Sequence, residues 1–282
     1  YAGNLTTAAA GNPFKLYRWS NDDASTVPTL AYQGDPGDPT NPNSQFGYTL
    51  DARGSGVNTE ILLGAGASNV VSILTTADGV NFTAHPISVA AATNGFTRLG
   101  IAFGDGNTFW AKTASQILYL VQYNLGAGTG TILKTYPLTQ FPWMLTSLDF
   151  NSDRKLLAAL ANEVPKNVRI YDVADLDAGP QLADQELFST ANASIEWNGE
   201  LDFGGNYLYA LDQNNGLHAY LLQDAPAVLK IIGIAAANGA VTIQWQSEIG
   251  TTYRVMSVDD LSETWQNLDS PVVATGITTT FV

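Results

Sequence analysis

The sequence predicts an all-β fold, and three observations carry the prediction. Apolar runs of about five or six residues are punctuated by Gly, Asn, Asp and Pro along the whole chain, as expected of strands joined by tight turns. No segment keeps an apolar period of about 3.6 residues, so helices should be few. Two separate landmarks recur in fixed order at a spacing near fifty residues, and a period of that length marks repeated supersecondary units.

The first landmark is a short apolar strand ending in an aromatic and then a polar residue, with Ser72-Ile73-Leu74 and Ala219-Tyr220-Leu221 as its looser candidates. It is met at Leu16-Tyr17-Arg18, Ser72-Ile73-Leu74, Gln122-Tyr123-Asn124, Ile170-Tyr171-Asp172 and Ala219-Tyr220-Leu221, with spacings of 56, 50, 48 and 49 between the central residues. The second precedes four of these: Leu50-Asp51, Ile101-Ala102-Phe103-Gly104, Leu148-Asp149-Phe150-Asn151 and Leu201-Asp202-Phe203-Gly204, with spacings of 51, 47 and 53. Each repeat reads as four short strands. The fourth gives them as Leu145–Phe150, Lys155–Ala161, Val168–Val173 and Gln181–Phe188, with a turn at Asn151-Ser152-Asp153. A four-stranded antiparallel unit at this period is a β-propeller blade.

Repeats two to four are complete and cover roughly 46–90, 96–138 and 143–188. The first begins at its second strand (Tyr1–Thr7, Phe14–Trp19, Thr29–Gln33), and the fifth, 197–223, shows three strands. An open sheet edge presents unpaired backbone groups. Either the terminal pieces combine to close a ring, or blades upstream are missing and the five visible repeats belong to a seven-bladed ring. The second reading is the expectation.

After Asp224-Ala225-Pro226 the pattern changes. Ala240–Gln246 alternates, with Val241, Ile243 and Trp245 on one side, and Thr252–Val258 alternates again. Thr264–Leu268 and Gly276–Val282 follow. Alternating strands between Gly- and Asp-bearing turns suggest a small sandwich-like module with one wet face. The domain expectation is therefore propeller blades over 1–224 and a β-module over 228–282.

Composition narrows the functional classes. Acidic residues number 26 against 12 basic ones, giving a net charge of −14, which repels phosphate backbones and anionic membranes. Nucleic acid is excluded as an expected partner; glycans, proteins and cations stay open. Cysteine is absent, so there are no disulfides, thiolate nucleophiles or zinc–thiolate sites. No run approaches the ~20 apolar residues of a membrane span. The chain opens without an initiator Met, which reads as processing or trimming. Charged residues are 13%, and the abundant Thr and Asn fit an extracellular bacterial protein.

Phe14-Lys15-Leu16-Tyr17-Arg18-Trp19, Leu50-Asp51-Ala52-Arg53-Gly54-Ser55-Gly56, Gly104-Asp105-Gly106-Asn107-Thr108-Phe109-Trp110 and Leu211-Asp212-Gln213-Asn214-Asn215-Gly216 resemble a family of uncharacterised secreted bacterial β-propellers. Gly250-Thr251-Thr252-Tyr253-Arg254-Val255 and Thr264-Trp265 look like the fibronectin type III modules appended to bacterial surface proteins. The resemblance implies the fold and export to the medium or cell surface. It carries no activity or catalytic residues to transfer, and the early blades of that family are not seen here.

Candidate site residues follow from the repeat. An aromatic stands four or five residues ahead of most inner-strand landmarks: Phe46, Phe96, Trp143 and Trp197. On one face these would form a stacking surface for sugar rings or a protein partner; alternatively they pack between blades. Three inner strands end in Asp51, Asp149 and Asp202, where the remaining one has Ala102. Such carboxylates around a channel mouth would bind a ligand or cation, or else accept backbone N–H groups at strand ends. Asp35 and Asp38, with Asp175 and Asp177, are acidic loop residues of a kind that holds Ca²⁺, without EF-hand spacing. No other cofactor is expected. Glu196 beside Trp197 is the weak candidate for a catalytic acid.

The leading functional expectation is a non-catalytic extracellular binding or scaffold protein for glycan or protein. A self-assembling structural subunit, associating through its terminal strands, and a polysaccharide-degrading enzyme are the alternatives.

Overall fold

Every regular element among the described residues is a strand, apart from one 3-10 turn at Gly56–Asn58. The computed structural model describes residues 1–5, 13–37, 44–142, 144–188, 199–222, 230–237, 240–247, 249–258, 266–268 and 270–282. It divides into two units, Tyr1–Leu222 and Gln223–Val282.

The first unit is a run of antiparallel blocks. β1 (Ala2–Gly3), β2 (Phe14–Arg18) and β3 (Thr29–Gly34) make a three-stranded sheet. β4 (Phe46–Arg53), β5 (Glu60–Ala65), β6 (Val70–Thr76) and β7 (Phe82–Ser88) are followed by β8 (Gly100–Phe103), β9 (Thr108–Lys112), β10 (Leu118–Asn124) and β11 (Thr129–Tyr136). β12 (Leu145–Asn151), β13 (Leu156–Ala161), β14 (Asn167–Asp172) and β15 (Gln181–Leu187) form a four-stranded sheet, and β16 (Gly199–Gly204), β17 (Tyr207–Asp212) and β18 (Gly216–Leu221) a three-stranded one. The strands expected in the fourth repeat lie within a residue or two of those found.

The sequence does not anticipate one join. β4 to β7 and β8 to β11 are a single eight-stranded sheet in the order β4-β5-β6-β7-β11-β10-β9-β8. Its two halves meet at a parallel bridge between Ser88 and Thr129, secured by the Ser88 N–H donating to the Gly128 carbonyl at 2.9 Å. The end strands β4 and β8 lie side by side, so the sheet nearly closes on itself. A one-residue bridge between outer edges leaves no periodic mark in the chain.

Strands buried on both faces explain why alternation is faint in the middle of the unit. β13 reads Leu-Leu-Ala-Ala-Leu-Ala. Leu157, Ala159 and Ala161 pack with Trp110, Leu118 and Leu120 of the preceding block, while Ala158 and Leu160 pack with Leu201, Leu208 and Ala210 of the following one. Each layer between blocks is thus a shared core. Close approach is helped by Gly100 on β8: a Cβ there would sit 2.8 Å from Leu148 Cγ and 3.2 Å from the Leu148 backbone nitrogen, so only glycine allows β8 and β12 to lie so near.

In the second unit β19 (Ile231–Ala237), β20 (Ala240–Gln246), β21 (Thr252–Tyr253), β22 (Met256–Ser257), β23 (Gln266–Asn267), β24 (Val272–Val273) and β25 (Thr278–Phe281) form one three-stranded sheet, β19-β20-β25, and two short pairs, β21-β24 and β22-β23. Trp245 is buried and meets Tyr253 edge-to-face at 5.6 Å. Of the alternating set only Trp245 is buried; Val241 is exposed. The continuous strand expected over Thr252–Val258 is broken in two.

Among the described residues no helix is long and apolar enough to cross a membrane.

Candidate functional site

The first strands of the four later blocks, β4, β8, β12 and β16, stand next to one another and are tied by unusual bonds. Asp51 on β4 accepts the Phe103 N–H of β8 through Oδ2 at 2.6 Å, and the Ala52 N–H through Oδ1 at 2.6 Å. Asp149 on β12 repeats the arrangement, accepting the Phe203 N–H of β16 at 2.5 Å and the Phe150 N–H at 2.8 Å. Each aspartate holds its own strand with one oxygen and the next block's first strand with the other. On β8 the equivalent residue is Ala102, so no such staple runs from β8 to β12.

That gap is filled by Ser147. A bulge in β12 between Thr146 and Leu148 puts Ser147 in the left-handed region at φ 45°. Its N–H then donates to the Leu99 carbonyl at 2.7 Å and its hydroxyl to the Gly199 carbonyl at 2.7 Å. Gln116, also left-handed at φ 72°, lies on the neighbouring turn. Lys112 holds that turn by donating from Nζ to the carbonyls of Gln116 at 2.7 Å and Pro142 at 3.1 Å, with the ammonium over the Phe141 ring. Bulges and left-handed non-glycine residues concentrate where a fold positions a site.

These strands border a cavity of about 550 Å³ whose wall includes Tyr48, Arg98, Gln116, Thr146, Ser147 and Glu200. A volume in this range admits a ligand of sugar size. Glu200 lines the cavity and is exposed, and Asp202, also exposed, follows it two positions along β16, on the same face of the strand.

Four carboxylates therefore converge from three strands, and their charges are felt mutually. Removal from water pushes the Asp149 carboxyl up to about 8, with the Asp51 charge next in effect and the Phe203 and Phe150 N–H groups opposing. Desolvation raises Asp51 to about 6, again against its two N–H donors, with Asp202 adding to the rise. Glu200 is raised to about 7, first by desolvation and then by Asp51 and Asp202. Asp202 is itself raised by desolvation. Near neutral pH the cluster holds and exchanges protons, because like charges brought close together resist full ionisation. Such groups are suited to general acid–base work.

The residues singled out from sequence fare differently. Asp51, Asp149 and Asp202 come together. Phe46 and Phe96 are 1% and 0% exposed and sit inside two separate cores, Phe96 against Phe109. As corrections to the stacking surface, both are interior packing residues: Phe46 opens β4 and packs with Phe14 and Leu16 of the preceding block, and Phe96, in the turn before β8, packs in the core shared by both halves of the eight-stranded sheet. Trp143, Trp197, Glu196 and Asp38 lie outside the described residues. Asp35 accepts the Gly37 N–H, Asp175 accepts the Asp177 and Ala178 N–H groups, and Asp177 pairs with Lys134. Among the described residues no group of three or more acidic or His side chains is arranged to hold a metal ion. Glu200 was missed; its alternation with Asp202 along one strand was the available signal.

No family model and no curated protein matches the chain. Solved structures do. A DUF4623 family protein from Bacteroides eggerthii is 13% identical with a TM-score of 0.50, covering 76% of this chain and 54% of its own, so this chain spans about half of that relative's length. Proteins provisionally named 6-phosphogluconolactonases from Bacteroides uniformis and Bacteroides fragilis are each 12% identical with TM-scores of 0.42, covering 98% and 99% of this chain and 83% and 97% of theirs. These neighbours are β-rich bacterial proteins, and the likeness is one of fold. The expectation of a non-catalytic binding or scaffold protein is corrected at this point: two neighbours carry enzyme names. At this similarity those names assign no reaction to this chain.

Proposed function

We propose that the first unit is built of β-propeller blades and that the cavity is an enzyme active site, in which Glu200 passes a proton to or from a small hydroxylated substrate. The observation that carries this reading is that Glu200 lines a sugar-sized cavity while Asp51 and Asp202 stand close enough for their charges to act on it, and Asp149 is coupled in turn to both of those aspartates. Asp51 and Asp149 are positioning residues, since their oxygens are committed to backbone N–H groups; desolvation first, and then the Asp51 and Asp202 charges, keep Glu200 partly protonated near neutrality. Glu200 accepts the Leu201 N–H through Oε1 at 3.3 Å, lines the cavity, and acts as proton donor to a leaving oxygen. Asp202, two positions along the same strand face, is the companion base. Export of the protein remains part of this reading, supported by the sparsely charged, Thr- and Asn-rich composition.

Screening the full chain against aryl glycosides and sugar lactones between pH 5 and 8.5 tests it. Turnover should fall as pH rises through about 7, where Glu200 loses its proton. Glu200→Gln should lower kcat by about 10²- to 10⁴-fold, the usual contribution of a positioned acid. Turnover that survives that substitution would remove Glu200 from the chemistry.

A further inference from the structure

The same cavity wall carries a cation with no acidic partner. Arg98 stands two residues before β8 on the cavity wall, and among the described residues it forms no ion pair, as is also true of Lys15, Arg18, Lys112, Lys230 and Arg254; it is the Arg or Lys side chain that lines this cavity. It shares that wall with Glu200. Its position is prepared: the guanidinium carbon lies 5.2 Å from the centroid of the Tyr48 ring, a cation–π contact. Tyr48 is placed in turn by Gly66, where a Cβ would lie 2.3 Å from the ring. A side chain at position 66 would push the ring, and Arg98 with it, from the cavity wall.

We propose that Arg98 is the anion-recognition residue of this cavity, and that the ligand is a saccharide bearing a single carboxylate, of the uronate type. This deepens the proton-transfer reading and rests on it for the identity of the site. A planar guanidinium grips a carboxylate with two parallel hydrogen bonds. A monoanion suits the cavity better than a doubly charged phosphate, because the carboxylates around Glu200 repel each added negative charge. The hydroxyl groups of the sugar find Thr146, Ser147 and Gln116 on the wall.

Calorimetric titration of the full chain with glucuronate, glucose, glucosamine and inorganic phosphate tests the proposal. Glucuronate should bind at least about tenfold more tightly than glucose, and Arg98→Met should erase that preference, with Arg98→Lys restoring part of it. Tyr48→Leu, which frees Arg98 without removing its charge, should weaken glucuronate by a smaller factor. Equal affinity for glucuronate and glucose, a preference for glucosamine, or full competition by equimolar phosphate overturns it. Glucuronate binding that depends on Arg98 in a protein without turnover would strike the catalytic reading alone.

Discussion

At the scale of single residues, Asp149, Glu200 and Asp51 set a pH dependence whose sign can be worked out. All three titrate higher in the folded chain than an ordinary carboxylate, at about 8, 7 and 6. Between about pH 4 and 8 the unfolded chain has released these protons while the folded chain still holds them, so stability falls as pH rises through that window. Urea unfolding should give a higher midpoint at pH 5 than at pH 8.5, with m unchanged. Glu200→Gln should flatten the part of the decline centred near pH 7. A midpoint that rises from pH 5 to 8.5 would contradict the cluster. Asp149→Asn tests the staple differently. Its amide offers one acceptor for the two N–H groups of Phe203 and Phe150, so it should cost about 1–3 kcal/mol at pH 5, where the charge relieved is small.

At the scale of elements, the blocks are held by side chains that reach from one strand to the next. Arg53 at the end of β4 donates to the Gly106 carbonyl at 2.7 Å and to the Tyr123 hydroxyl at 2.7 Å, pairs with Glu60, and lies over the Phe103 ring at 4.2 Å. It therefore joins both halves of the eight-stranded sheet near the place where β4 meets β8. Arg53→Lys keeps the charge and loses the fork. It should lower stability by about 1–2 kcal/mol in a denaturant titration, the value of one or two partly exposed hydrogen bonds. The buried Lys166–Asp212 pair, 2.8 Å apart and 1% and 2% exposed, ties β17 to the segment entering β14. Lys166→Met strands a buried carboxylate and should cost about 3–5 kcal/mol. A loss under about 1 kcal/mol would show that Asp212 finds another partner.

At the scale of the whole molecule, the repeated layers make a comparison within one chain. Leu160 and Val168 pair across β13 and β14, and Leu211 and Leu217 occupy the matching positions on β17 and β18. The first two are 3% and 1% exposed because the next block covers them; the second two are 46% and 68% exposed. Leu160→Ala should cost about 2–5 kcal/mol and Leu211→Ala less than about 1 kcal/mol, measured by thermal or urea unfolding. Equal losses would mean that Leu211 is covered in solution. The strands of the fourth repeat were legible because their turns are marked by Asn151, Asp153 and Gly179. The site was legible only in part. Asp51, Asp149 and Asp202 share a place in the period, but Glu200, Arg98 and Ser147 do not recur from repeat to repeat, so the period does not point to them, and Glu200 is marked only by its alternation with Asp202.

The sequence by itself determined the strand content, the fifty-residue repeat and the placing of an aspartate at the same point of three repeats, because these depend on local turn chemistry and on alternation along a strand. It also determined the strong negative charge. Only the tertiary structure decided that Phe46 and Phe96 are interior, that β7 and β11 join two blocks into one sheet, and that four carboxylates meet beside a cavity. Burial, edge pairing and charge coupling depend on what the neighbouring block brings across the gap. The strand that carries a residue does not encode that.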